Sequence, residues 1–320
     1  MTRLDRRGII YTLVALTMLA IIAAVIFTEL RAGDRDESEA VEDRIHAIDA
    51  YLVSLDGDAS RAARIAGFRA FIAMEQHIVS TGEYFTDPEA EFLEIFRTGN
   101  LTGTAFAVME NSSFDEYLLR ARREAGTQGI IFDVAVRNVS FSQVEPWSVV
   151  ITYALEMNVS DTKGTANWST TRIIESSVPI TDLKDPLFTK ETFGRVQRVI
   201  RQTNVTTLVN DAGNANDTSG LNLHFNTSSY LAAGRGPDIM MRFQGNLSDS
   251  IYGIESLVDV NDISVQGLPV DAAASIVDFE YFAGTPATAC GIQNLTSAFR
   301  FDAASLGVYQ IAGNLTYSTC

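Results

Sequence analysis

The sequence is poor in the residues that build reactive centres: its 320 positions hold two cysteines, three histidines and two tryptophans. A zinc site needs three or four ligands, and neither a His-Glu-x-x-His pair nor a close cysteine pair occurs. A Gly-x-Ser-x-Gly elbow, a phosphate loop and a dinucleotide fingerprint are also absent. No catalytic constellation, cofactor or metal site is therefore expected. Lysine is scarce, because only Lys163, Lys184 and Lys190 contribute to the 24 basic residues, against 40 acidic ones. The resulting net charge of −16 argues against nucleic acid as a partner. No internal repeat is visible.

Long hydrophobic runs are equally rare, and the one that exists stands out. Ile9 to Thr28 are twenty consecutive uncharged, mainly apolar positions. At helical rise they extend about 30 Å, the thickness of a bilayer's hydrocarbon core. The run exceeds the apolar region of an ordinary secretory signal and leads into Glu29-Leu30-Arg31 rather than a small-x-small cleavage site. Arg3, Arg6 and Arg7 precede it, so the positive-inside rule places residues 1–8 in the cytoplasm and the chain beyond Glu29 outside, as a single-pass membrane protein.

Two features agree with an exterior location. The acceptor motif Asn-x-Ser/Thr occurs at Asn100, Asn111, Asn138, Asn158, Asn167, Asn204, Asn216, Asn226, Asn246, Asn294 and Asn314, more often than chance would give. These eleven asparagines are the expected glycosylation positions. Cys290 and Cys320, the only cysteines, are an expected disulfide in an oxidising compartment.

Beyond the run, Val41, Ile45, Ile48, Leu52 and Leu55 form one apolar seam of a helical stalk, with Gly33 as a bend and Gly57-Asp58 as a break. A second helix is expected over 59–81 with Ile65, Phe68, Ile72 and Val79 inward. Asp87-Pro88-Glu89 caps a third ending at Gly99, and a fourth covers 113–125. From Gly129 the period changes to two, predicting an antiparallel meander through 132–136, 147–155 and 166–177. A helix around 191–201, an exposed polar loop over 204–229, and strands around 239–243, 254–260 and 276–282 complete the reading. The expected fold class is α+β: an N-terminal transmembrane helix and helical stalk, then an antiparallel sheet with packed helices. The segments are a leader (1–8), the span (9–28), a helical region (29–126), the meander (127–182) and an α+β region (183–320).

His46, His77 and His224 stand alone; Glu75 and His77, two apart on a helix, point to different faces and read as surface polar residues. Asp278 and Glu280 share one face of the 276–282 strand, where solvation is the ordinary role and an acid pair the alternative.

Arg6-Arg7-Gly8 followed directly by the apolar run resembles the leader of archaeal type IV pilin-like proteins and, more broadly, archaeal single-span envelope proteins. The resemblance covers about thirty residues. It implies cleavage between Gly8 and Ile9, with the retained helix serving as membrane anchor and filament core, and with self-assembly or other pilin-like subunits as partners. Leu13, fifth after the cut, replaces the glutamate usual in bacterial pilins. The expected function is a non-enzymatic, membrane-anchored, glycosylated cell-surface protein, as a minor filament or adhesion component. The alternatives are a tethered ectodomain that binds envelope partners or ligands without polymerising, and an extracytoplasmic hydrolase.

Overall fold

A computed structural model describes residues 6–162, 164, 166–211, 216–284, 289–293, 295–296 and 299–318; for 6–15, 28–40, 211 and 216 it describes the backbone alone. The protein is α+β, with antiparallel sheets and several helices. The chain forms two compact units, the first comprising Met1–Asp56, Arg122–Asp133 and Met157–Thr170, the second Gly57–Ala121, Val134–Glu156 and Thr171–Cys320.

Helix α1 runs unbroken from Arg6 to Thr81. Gly33 lies inside it without interrupting it, and the break expected at Gly57-Asp58 is not there. The first proline in the chain is Pro88, and an isolated glycine inside a helix costs only about 1 kcal/mol, too little to stop one that is supported on both sides. The apolar stretch 9–28 runs on into the stalk as expected, both being part of α1. Among the described residues no helix is long and apolar enough to cross a membrane.

In the first unit the stalk seam is buried at Ile48, Leu52 and Leu55, while Ile45 is exposed. Arg44 fixes this stretch by donating to Asp161 Oδ1 at 2.9 Å and to the Gly129 carbonyl at 2.6 Å. Tyr51 meets Phe132 edge to face.

In the second unit α1 turns inward a different face from the one its large residues predict. Ala59, Ala63, Ala66, Ala70, Phe71, Ala73, Met74 and Ile78 are buried, whereas Ile65 and Val79 are exposed. A small-residue face lets the helix backbone approach the sheet closely. A Cβ on Gly67 would stand 2.8 Å from Val178 and 2.9 Å from Ile151. Tyr153 donates to the Ala59 carbonyl at 3.0 Å, and Ser176 to the Ser60 carbonyl at 2.8 Å.

Helix α2, Pro88–Thr98, is framed as its sequence demands: Asp87 accepts from the Ala90 amide and Gly99 closes the end at φ 77°. Helix α3 is Phe114–Thr127. The meander follows as Ile130–Glu145, Ser148–Asp161 and Asn167–Pro179, in that spatial order. Two residues join the first pair, a length that only antiparallel strands permit. Val149, Ile151, Tyr153, Leu155, Met157 and Val159 are all buried, the period of two expected for the central strand.

The C-terminal part departs most from expectation. Its helices are short: α4 Pro186–Glu191, α5 Ser219–Asn226, α6 Ile239–Gln244, α7 Val260–Val265, α8 Asp278–Phe282 and α9 Ser305–Val308. The 191–201 helix lies earlier, as α4, started by Asp185 and Pro186. The exposed 204–229 loop contains α5 and buries Leu208, Val209, Leu221 and His224. The 239–243 strand is α6, because Asp238 caps it from the Met241 amide and Gly245 stops it at φ 72°. The 276–282 strand is α8. Only Ile254–Ser256 is a strand as expected, paired antiparallel with Tyr230–Ala232. Four to eight residues hold too few turns for apolar period to identify them.

Candidate functional site

The residues singled out in the sequence do not converge. Gly8 and Ile9 lie in the first turns of α1, where only the backbone is described. His46 is exposed beside Glu42, at 3.9 Å. His77 is half-buried, and burial lowers its pKa. Glu75, expected at the surface, is instead buried: its carboxylate accepts from the Lys184 amide at 2.6 Å, and burial pushes its pKa up to about 8. His224 is also buried rather than solvated. Its Nδ1 bonds Ser229 Oγ at 2.9 Å, Nε2 has no partner, and burial with nearby Arg198 pushes its pKa down to about 4. Among the described residues, no three His, Cys, Asp or Glu side chains are placed to hold a metal.

Asp278 and Glu280 are neither a strand face nor an acid pair. Asp278 is wholly buried at the start of α8, and Glu280 turns to Arg235 at 3.5 Å. Asp278 belongs to a knot that the sequence reading missed. Arg242 Nη1 donates to Asp185 Oδ2 at 2.6 Å and to Asp278 Oδ2 at 3.0 Å; Nη2 donates to the Ile254 carbonyl and Nε to that of Pro237. Tyr230 donates to Asp185 at 2.7 Å, and Ser256 donates twice to Asp278. Burial opposes the Arg242 charge, but the two carboxylates outweigh it and raise its pKa. These bonds tie α4, α6, α8 and the 254–256 strand together. With Arg242, Asp185 and Asp278 fully buried and their bonds internal, the knot suits structural support rather than turnover. Its one sequence signal is an arginine inside the otherwise apolar Ile239–Phe243.

Beside the knot, Glu255 is fully buried. The Tyr309 hydroxyl interacts with its carboxyl, yet neither oxygen makes a well-formed hydrogen bond. Burial, then the charge of Asp278, pushes its pKa up to about 8, so the group is mostly protonated at neutral pH.

Cys290 is buried and disulfide-bonded; Cys320, its expected partner, lies outside the described residues. Of the acceptor asparagines, 111, 138, 158, 167, 204, 226 and 246 are exposed and 100 and 314 half-buried. Asn216 has only its backbone described, and Asn294 lies outside the described residues.

The surface feature that does stand out is apolar. From Leu16 to Phe27 every described side chain of α1 is exposed, including Leu16 at 73%, Leu19 at 72% and Phe27 at 67%. Apolar residues thus stand all round the circumference of this stretch of the helix, and none of its described side chains is buried. No family model, curated protein or solved structure matches this chain.

Proposed function

We propose that this is a non-enzymatic, membrane-anchored, glycosylated cell-surface protein of the pilin-like kind, a minor filament or adhesion component. One observation carries the reading: the uninterrupted exposure of apolar side chains from Leu16 to Phe27 at the start of a 76-residue helix. Those twelve residues cover about 18 Å along the helix, and the uncharged positions 9–15 and 28 extend the run to about 30 Å. Leaving such a surface in water costs about 25 cal/mol for each Å² of apolar area, so lipid or apolar partner helices are its natural surroundings. The polar, acid-rich remainder then stands outside, with most of its described acceptor asparagines exposed.

The pilin-like part of the reading rests on Arg6-Arg7-Gly8 before the run. Amino-terminal sequencing of membrane-extracted protein is expected to begin at Ile9. A start at Met1 or Thr2 ends the pilin-like reading and leaves a plain tethered ectodomain.

A further inference from the structure

The first strand of the meander changes face in mid-course. Up to Val136 its even-numbered residues, Ile130 and Phe132 foremost, turn inward. From Val139 the odd-numbered ones do so, with Phe141 packed at 5.1 Å on Phe92 and at 6.4 Å on Phe71. The shift of one residue falls at Arg137-Asn138, which are both exposed. Asn138 takes a left-handed backbone, φ 50°, the conformation of a bulge residue and one that asparagine tolerates better than most residues. The bulge leaves Asn138 outward together with Ser140, the third residue of its acceptor motif, which is also exposed.

Beside this asparagine is a cleft of about 600 Å³ between α2 and the strand. Leu93, Val136 and Val139 line it with apolar surface, while Glu94, Arg97 and Arg137 bring polar heads. A sugar ring offers the complement, with C–H faces for the apolar surface and hydroxyls for planar charged groups. Because Asn138 itself lines the cleft, a glycan attached there begins inside it and needs no separate affinity to arrive.

Another acceptor position provides the contrast. At Asn111 the third residue, Ser113, is buried and held by a reciprocal cap: its amide and hydroxyl donate to Glu116 Oε2 at 3.2 Å, and the Glu116 amide returns to Ser113 Oγ at 3.3 Å. A transferase that reads the third-position hydroxyl finds it buried at Asn111 and exposed at Asn138, where Ser140 Oγ makes only a long bond to the Thr152 carbonyl, at 3.4 Å.

We infer that Asn138 carries an N-linked glycan whose first sugars lie in the Leu93–Arg97–Val139 cleft, and that the folded chain is modified there in preference to Asn111. This rests on the glycosylated exterior proposed above. The test takes full-length protein from its natural host, maps glycopeptides, and measures the reactivity of Arg97, Arg137 and Arg195 toward phenylglyoxal. Ser140→Ala, which removes the motif but keeps the bulge asparagine, and Asn138→Gly, which keeps the left-handed backbone, are the comparisons. The expected result is a higher glycan occupancy at 138 than at 111, with Arg97 and Arg137 several-fold less reactive than in either variant and Arg195 unchanged. Bare asparagines throughout would overturn both this inference and the glycosylated reading. Glycans elsewhere with Asn138 bare, occupancy at 111 equal to or above that at 138, or a modified Asn138 with unprotected arginines, would overturn this inference alone.

Discussion

Helix α1 contains two apolar stretches of opposite fate. From Leu16 to Phe27 all the side chains face the outside, whereas from Ala59 to Ile78 one face is buried down to the backbone. The difference lies in size and pattern. The first stretch sets Leu, Ile, Val, Met and Phe all round the helix and has no face to spare for water. The second collects its alanines and Gly67 on one side, so that Val178 and Ile151 reach the helix backbone. Both are helical; among the described residues only the second is packed against other parts of its own unit.

If the second unit is completed internally, the sharpest way to break it is at the buried knot. Arg242→Ala leaves the Asp185 and Asp278 carboxylates buried without their cation, and is expected to cost about 3–5 kcal/mol, read by urea denaturation of the full chain in detergent.

A smaller effect comes from pH. Glu75 and Glu255 have folded pKa values near 8, so the folded state binds more protons than the unfolded one between about pH 4.5 and 8, and their share of stability falls as pH rises through that window. His224 acts oppositely between about pH 4 and 6.5, where the unfolded state is the better proton binder. The two effects partly offset below pH 6.5. From pH 6.5 to 8 only the loss remains, on the order of 1 kcal/mol per pH unit for each carboxyl. Glu255→Gln is expected to flatten that slope in denaturation midpoints; an unchanged slope would show that Glu255 is not protonated in the fold.

Two glycines of the same helix sharpen the comparison further. Gly67→Ala gains about 1 kcal/mol of helix propensity but forces Val178 and Ile151 to move, so a net loss of roughly 1 kcal/mol is expected. At Gly57 a Cβ meets nothing within 4 Å, and Gly57→Ala is expected to stabilise by about 0.5–1 kcal/mol. Thermal melts that move the two variants the same way would refute the close-packing account. The smallest effect belongs to the exposed stretch: Ile22→Arg is expected to change unfolding free energy by less than about 0.5 kcal/mol, because that side chain is 58% exposed.

The legible parts of this fold are those in which sequence carries its own punctuation. Asp87-Pro88 and Gly99 bracket α2, and the alternation from Val149 to Val159 can be satisfied only by a half-buried strand. The inward face of α1 was not legible, since alanine and glycine carry little hydrophobic signal although they decide how near the sheet can come. Asp238 and Gly245 punctuate α6 just as clearly as α2 is punctuated, but six residues between them read equally well as a strand. The Arg242 knot joins positions 185, 242 and 278, and no local spacing brings such partners together. The bulge at Asn138 was hidden because asparagine there served first as an acceptor motif.

The central claim is that the Leu16–Phe27 surface is covered by lipid or by apolar partner helices. Alkaline carbonate extraction of membranes bearing the full-length chain tests it most directly. The account predicts that the protein stays with the membrane pellet and that Leu19→Arg/Ile22→Arg, at about 2.5–3.5 kcal/mol for each buried arginine, shifts it toward the supernatant. Quantitative release of the unaltered chain into the supernatant would contradict it.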